Sequence, residues 1–367
     1  MSQAGRFFPG SPAGYASRLP VASPPFPALV GHLPARERLA ATVARGRLPG
    51  ALLLLGPDGV GRALLARELA RALLCAAPGD RPCGACGACQ RVTRGAHADL
   101  LLVRPEDQAS ISIDQVRDAL AELALAPVEG RARVLVLDPA SALSEPAQNA
   151  LLKGLEEPAP RAHLVLLARG EDELLSTIVS RCGLLRLDEL ARGEVEEVLV
   201  RAGLPPAEAA ERARWSAGSP GKALAADAPE RARLAERALQ ALGSGQAWQD
   251  PMGLVDELAA WCDKGAADLA EKRERLLDLV RALTRAIRDG LVAGLGTDVP
   301  RMSGAGQPLL APLAALPRER VLAALDRLGR AEEEVQENVN PTLVLEGLVL
   351  DLGEALRPGT ASPGRTR

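Results

Sequence analysis

Chemistry enters this chain most plainly through Cys75, Cys83, Cys86 and Cys89, the last three in the string Cys83-Gly84-Ala85-Cys86-Gly87-Ala88-Cys89. Two overlapping C-x-x-C units let neighbouring sulfurs face one ion, and the glycines between them permit the tight turns this needs. Four thiolates close a tetrahedral zinc site and leave no open position, so the expected role is structural and not catalytic. The start of the chain lacks the charged-then-apolar pattern of a secretory signal, and in that setting this spacing favours metal over disulfides. A redox dithiol pair and idle cysteines are the alternatives, and His97 is close enough in sequence to compete as a ligand. Cys182 and Cys262 fit better as small buried residues.

A second candidate is the string Leu52-Leu53-Leu54-Leu55-Gly56-Pro57-Asp58-Gly59-Val60-Gly61-Arg62-Ala63. An apolar run, then a glycine-rich turn, then a helix has the layout of a phosphate-binding loop, G-x-x-x-x-G-K-[ST]. Gly56 and Gly61 hold its glycine positions, with Gly59 between them. Arg62 stands where the lysine belongs, a longer planar fork in place of a compact ammonium. Ala63 stands where a hydroxyl would bind Mg²⁺. The loop could still offer backbone N–H groups to an anion, but it is poorly equipped for hydrolysis. An ordinary strand-to-helix turn would give the same string. Asp138 ends an apolar strand as a Mg²⁺-supporting carboxylate would, and Pro139 follows it. Arg181, in Ser180-Arg181-Cys182, is by itself most simply a solvated arginine.

The elements that must position these groups alternate. Strands are expected at Ala51 to Leu55, Ala98 to Arg104, Arg133 to Asp138 and His163 to Ala168. Between them lie helical patterns at Leu33 to Arg47, at Ala63 to Leu74 and from Ile111 onward. Such alternation predicts a parallel sheet with helices on both faces, an α/β fold. From Asp188 the apolar spacing is helical throughout, with Gly296 to Pro317 expected as a Gly- and Pro-rich loop. Residues 1–27 and 358–367 have the composition of disordered tails, although the first contains all three phenylalanines, Phe7, Phe8 and Phe26. With 47% hydrophobic and 25% charged residues the composition is globular. A net charge of −3 advertises no nucleic-acid partner, although it leaves room for a local arginine patch. Aromatic residues at 2% argue against a base-stacking platform. No apolar run reaches a membrane span, and a cytoplasmic location is expected.

Taken together and in order, these pieces resemble one family. They are the phosphate-loop remnant, the four-cysteine insert, the Asp138 strand, Asn149-Ala150-Leu151-Leu152-Lys153-Gly154-Leu155-Glu156-Glu157-Pro158 and Ser180-Arg181-Cys182. This is the order of bacterial DNA polymerase III clamp-loader subunits, which are AAA+ proteins, and the resemblance spans Pro27 to Leu356. Asn338-Val339-Asn340-Pro341 is similar to the collar domain of that family.

The resemblance implies an AAA+ nucleotide-binding-like domain at 28–187 with a zinc module at 75–89. It further implies a helical lid at 188–228 and a helical collar at 229–357. Within the family the motor subunits, gamma/tau, keep a lysine, a hydroxyl, an acidic pair and a sensor arginine. Here those positions hold Arg62, Ala63, Asp138-Pro139 and Gly221, which looks like the non-hydrolysing delta-prime type of subunit. The resemblance then gives Arg181 a role as a trans arginine finger toward a neighbouring gamma/tau site. The nucleotide site at Gly56, Gly59, Gly61, Arg62 and Asp138 is expected to be inactive, with weak ATP binding left open. The implied partners are gamma/tau and delta in a pentamer, and through them the sliding clamp and primed DNA. An active gamma/tau-like ATPase, using Arg62 and another acid, is the alternative.

Overall fold

The computed structural model describes residues 25–79, 81–105, 110–264, 266, 269–297, 299, 303, 305–337 and 339–357. Most of both expected tails, with Phe7 and Phe8, and Asn338 of the collar-like string lie outside the described residues. The chain divides into two compact units, 1–198 with 218–221, and 199–217 with 222–367.

The first unit is built on five parallel strands: β1 (Ala51–Leu55), β2 (Leu100–Val103), β3 (Arg133–Leu137), β4 (Ala162–Ala168) and β5 (Gly183–Arg186), in the order β2-β3-β4-β1-β5. Runs such as Ala51-Leu52-Leu53-Leu54-Leu55, buried at every position, are what a strand covered on both faces requires. The helices of this unit are α1 (Leu33–Ala44), α2 (Arg62–Leu74), α3 (Gly87–Thr93), α4 (Ile113–Leu123), α5 (Glu145–Glu156) and α6 (Ser176–Val179). Local chemistry sets their starts. Ser112 and Gln115 form a reciprocal capping box at α4, and Ser144 caps α5 just ahead of Pro146. This is the α/β class expected, a parallel sheet with flanking helices followed by further helices. In open α/β sheets ligands gather beyond the carboxyl ends of the strands, and the turn from β1 into α2 leaves the sheet at that end.

Phe26 is not loose: it is 2% exposed, and Arg36 gathers the chain around it. The Arg36 guanidinium donates to the carbonyls of Pro25 (2.8 Å), Gly31 (3.1 Å) and Phe26 (3.2 Å).

The helix α7 (Arg192–Arg201) runs across the division, as does α9 (Pro220–Leu224). The second unit contains α8 (Pro206–Trp215), α10 (Ala228–Ser244), α11 (Gln246–Gln249), α12 (Pro251–Asp263), α13 (Leu269–Gly294), α14 (Gln307–Ala314), α15 (Arg318–Gln336) and α16 (Pro341–Ala355). Its core is mostly aliphatic, with Trp215 and Trp261 among it, and is continuous from Trp215 on α8 to Leu356. One expectation fails here. The segment expected as a loop from Gly296 to Pro317 contains the helix α14, although Pro312 lies inside it. Burial of Leu310 and Leu313 outweighs the poor helix propensity. Gly290 makes room for it, since a Cβ there would lie 2.6 Å from the Cβ of Leu313. Among the described residues no helix is long and apolar enough to cross a membrane.

Candidate functional site: a phosphate-type loop, a four-cysteine cluster and a projecting arginine

The loop after β1 keeps the backbone of a phosphate loop. Gly56, Gly59 and Gly61 have φ of +147°, +75° and +113°, values that L side chains rarely adopt. At Gly56 a Cβ would also lie 2.2 Å from the Leu187 carbonyl oxygen, so no other residue fits. The side chains around this loop are spent on one another. Arg62 turns back to an ion pair with Asp58 and is only 11% exposed. Asp58 also meets Arg169 at 3.4 Å. The loop carbonyls are taken as well: Ser219 Oγ donates to Asp58 O at 2.8 Å, and Gly221 N to Gly59 O at 2.9 Å. The ring nitrogen Nε2 of His32 lies 3.0 Å from Val60 O. Gly221 sits so close that a Cβ would be 2.7 Å from the Cα of Gly59, leaving no room for any side chain at this position. Asp138, just beyond β3, accepts from Arg104 Nη2 at 2.8 Å. Neither the Arg104 partner nor the closure by Ser219 and Gly221 was visible in the sequence, because each joins positions far apart in the chain.

The cysteine cluster is assembled by α2 and α3. Cys75 ends α2, Cys86 caps α3, and Cys89 lies within α3. All four Sγ atoms lie within 4.8 Å of one another, with Cys75–Cys86 at 3.9 Å and Cys83–Cys89 at 4.0 Å. A zinc ion bound at about 2.3 Å by four sulfurs sets them about 3.8 Å apart, so the donor set and its spacing fit that ion. Backbone N–H groups already point at two of the sulfurs: Cys86 N donates to Cys83 at 3.4 Å, and Cys89 N to Cys86 at 3.5 Å. The Cys89 N–H is the main cause that brings the Cys86 thiol down to about 6, whereas burial pushes Cys89 up to about 12. A bound cation would make all four thiolates. His97 is not among the converging donors. Its Nδ1 accepts from Asp99 N at 3.1 Å, and its Nε2 faces Glu129 at 3.5 Å.

Just before β2, Asp99 is fully buried and organises the turn before β3. It accepts from Val128 N (2.6 Å), Glu129 N (3.0 Å) and Gly130 N (2.6 Å), and Arg133 lies 3.5 Å away. Burial drives its carboxyl upward. The three N–H groups and Arg133 together overcome that and hold it below the usual carboxylate value.

Arg181 follows α6 and leads into the edge strand β5. Its guanidinium donates to Thr177 O at 2.9 Å and Glu156 Oε1 at 2.7 Å, and it remains 37% exposed. The register pairs Leu52 with Gly183 and Leu55 with Arg186. Arg181 therefore lies at the amino end of β5, while the Gly56 loop leaves the carboxyl end of β1. At about 3.3 Å per residue, β5 alone separates them by roughly 10 Å along the strand. The flanking Cys182 is buried, and burial pushes its thiol to about 12.

Comparison with known proteins agrees with this architecture. The family model described as DNA polymerase III, delta subunit, matches residues 32–191. The DNA polymerase III subunit delta' of Escherichia coli (strain K12) is 32% identical over 335 residues, covering 89% of this chain and 96% of that protein. The chain belongs to the DNA polymerase III subunit delta' family. It is thus a clamp-loader subunit of the delta'/tau/gamma group. The subunit delta' of Pseudomonas aeruginosa is 42% identical over 134 residues, a match that spans 36% of this chain and less than half, 41%, of that relative. Among solved structures, a DNA polymerase III gamma subunit-related protein from Thermotoga maritima is 19% identical with a TM-score of 0.42, over 88% of this chain and 99% of that one.

Proposed function

We propose that this chain is the non-hydrolysing member of its clamp loader, supporting ATP-dependent loading of the sliding clamp onto primed DNA. In this reading residues 28–187 are the AAA+ domain, 188–228 its lid and 229–357 the collar. The collar joins gamma/tau and delta subunits in a pentamer. Arg181 is offered in trans to the ATP site of a neighbouring gamma/tau subunit.

The observation that carries the reading is the placement of Arg181 at the opposite end of β5 from the loop of its own domain. An arginine so placed cannot serve Gly56–Arg62, but it is exposed and can reach a partner. Its present partner, Glu156, is itself 53% exposed, and such a surface pair is worth little and is exchanged readily for phosphate oxygens. A planar, permanently charged fork suits charge developing on a transferring phosphoryl group. The loop supports the same reading from the other side. Arg62 is neutralised by Asp58, Ala63 has no hydroxyl for Mg²⁺, and Pro139 cannot polarise a water. Cys75, Cys83, Cys86 and Cys89 would hold a structural zinc ion, which would cross-link the end of α2 to α3.

The test is Arg181→Ala in a loader reconstituted with gamma/tau and delta. ATP turnover on primed DNA should fall by at least tenfold; such fingers contribute about 10³ to 10⁵ elsewhere. Unchanged turnover and unchanged clamp loading would sink the assignment. The isolated chain should be silent. Robust turnover by the chain alone, abolished by Arg62→Ala, would favour an active ATPase instead.

A further inference from the structure

Four thiolates on one divalent ion leave the cluster anionic, and a partly buried anion needs a compensating charge nearby. Arg71, one turn before the end of α2, is placed to give it. Its side chain is 15% exposed. A Cβ on Gly84, in the turn between Cys83 and Cys86, would come within 3.1 Å of Arg71 Nη2, so the guanidinium lies against that turn. The Arg71 carbonyl is 4.0 Å from the Cys89 sulfur. The guanidinium is fixed from behind by an ion pair with Glu68, which is 1% exposed and has one oxygen, Oε2, without a hydrogen-bond partner. Burial works against the Arg71 charge, while Glu68 and then the Cys89 sulfur reinforce it.

From this geometry we infer that Arg71 is a positioning residue of the metal site, its guanidinium held by Glu68 against the Cys83–Cys86 turn to offset the charge of the bound thiolates. The inference rests on the reading that the cluster holds zinc. It accounts for a side chain and a buried carboxylate that serve neither the phosphate-type loop nor Arg181. It also explains why residue 84 is a glycine beyond its φ of +74°: a side chain there would push the guanidinium off the turn.

The experiment measures zinc affinity of the full chain by competition with a chromogenic chelator. Cobalt substitution, read through its thiolate charge-transfer absorption, confirms the sulfur ligands, and far-UV circular dichroism monitors the fold. The wild type should bind one ion. Arg71→Met, of similar length and helix propensity, should bind it about tenfold to a hundredfold more weakly, the usual cost of losing an outer-shell partner. Arg71→Lys should recover most of that loss by restoring the charge. Glu68→Gln, which keeps the shape but loosens the hold on Arg71, should weaken binding by less than Arg71→Met does, and does not depend on the Met variant folding. Wild-type affinity in Arg71→Met, equal losses in the Met and Lys variants, or unchanged or tighter binding in Glu68→Gln would each overturn the role of Arg71 while leaving the zinc reading intact. A wild type that binds no zinc would remove the zinc reading itself and the inference with it.

Discussion

The phosphate-type loop and the cysteine cluster adjoin opposite ends of the same helix, α2, and have diverged in opposite senses. At the loop the glycine backbone is present and, in the proposed reading, the chemistry is gone. Three glycines hold φ values that suit an anion cradle, yet Arg62, Asp58, Asp138 and the loop carbonyls are paired within the protein. At the cluster four donors, carried by the end of α2, a turn and α3, converge within 4.8 Å. In the proposed reading, a loop that keeps its shape without reactive side chains serves as scaffold. A set of donors that converges on one point is still a site. Substitutions at the loop should therefore register as stability, and substitutions at the cluster as metal affinity.

The hardest test of that contrast is Gly56→Ala. The positive φ costs about 1–3 kcal/mol for a side-chain residue, and the Leu187 carbonyl 2.2 Å from the new Cβ adds a displacement of backbone of similar cost. A loss of about 3 kcal/mol is expected, read as a lower urea midpoint at unchanged slope, with the zinc stoichiometry of the folded protein unaltered. Coordinate loss of zinc from the still-folded protein would show that loop and cluster are not independent.

Much of this was legible beforehand, and the omissions share a cause. Continuous apolar runs marked β1 and β3 because buried parallel strands have no polar face to show. The cysteine spacing predicted convergence because ligand geometry constrains neighbours in sequence. Helix α14 was missed because its proline content speaks locally while Leu310 and Leu313 answer to the core. The loop was legible as a motif, but its closure was not. Ser219 and Gly221 reach it from far along the chain, and Arg104 reaches Asp138 across two strands. The burial of Phe26 was likewise hidden, since it depends on Arg36 gathering three carbonyls, two of which composition assigns to a tail.

Asp99 gives the next largest effect, on the cluster side of the comparison. Asp99→Asn replaces an acceptor of three backbone N–H bonds with an amide that can satisfy them only in part, and it leaves Arg133 without its buried charge. A loss of about 1–3 kcal/mol is expected at neutral pH. The folded carboxyl lies below its ordinary value of 3.8. Its contribution is therefore present above the unfolded value and is lost as pH falls through the folded one. The gap between wild type and variant should be constant from pH 8 to about pH 5 and close only in stronger acid, as followed by denaturant midpoints across pH. A gap that widened in acid would mean the carboxyl is held above its ordinary value.

The smallest effect separates a silent loop from a merely inhibited one. Asp58 is 31% exposed and its partner Arg62 11%, so Asp58→Asn should cost about 0.5–1 kcal/mol, in the range of partly solvated pairs. The substitution frees Arg62 to meet an anion. If pairing with Asp58 alone kept the loop inactive, the variant would turn over ATP. The expected result is no turnover, because the freed guanidinium restores neither the Mg²⁺-binding hydroxyl missing at Ala63 nor the carboxylate missing at Pro139. Gly221, with no space for a side chain against Gly59, closes the remaining route to a sensor arginine. Turnover in Asp58→Asn would break the contrast at its weakest point, by showing that one carboxylate, and not the loss of several groups, had silenced the loop.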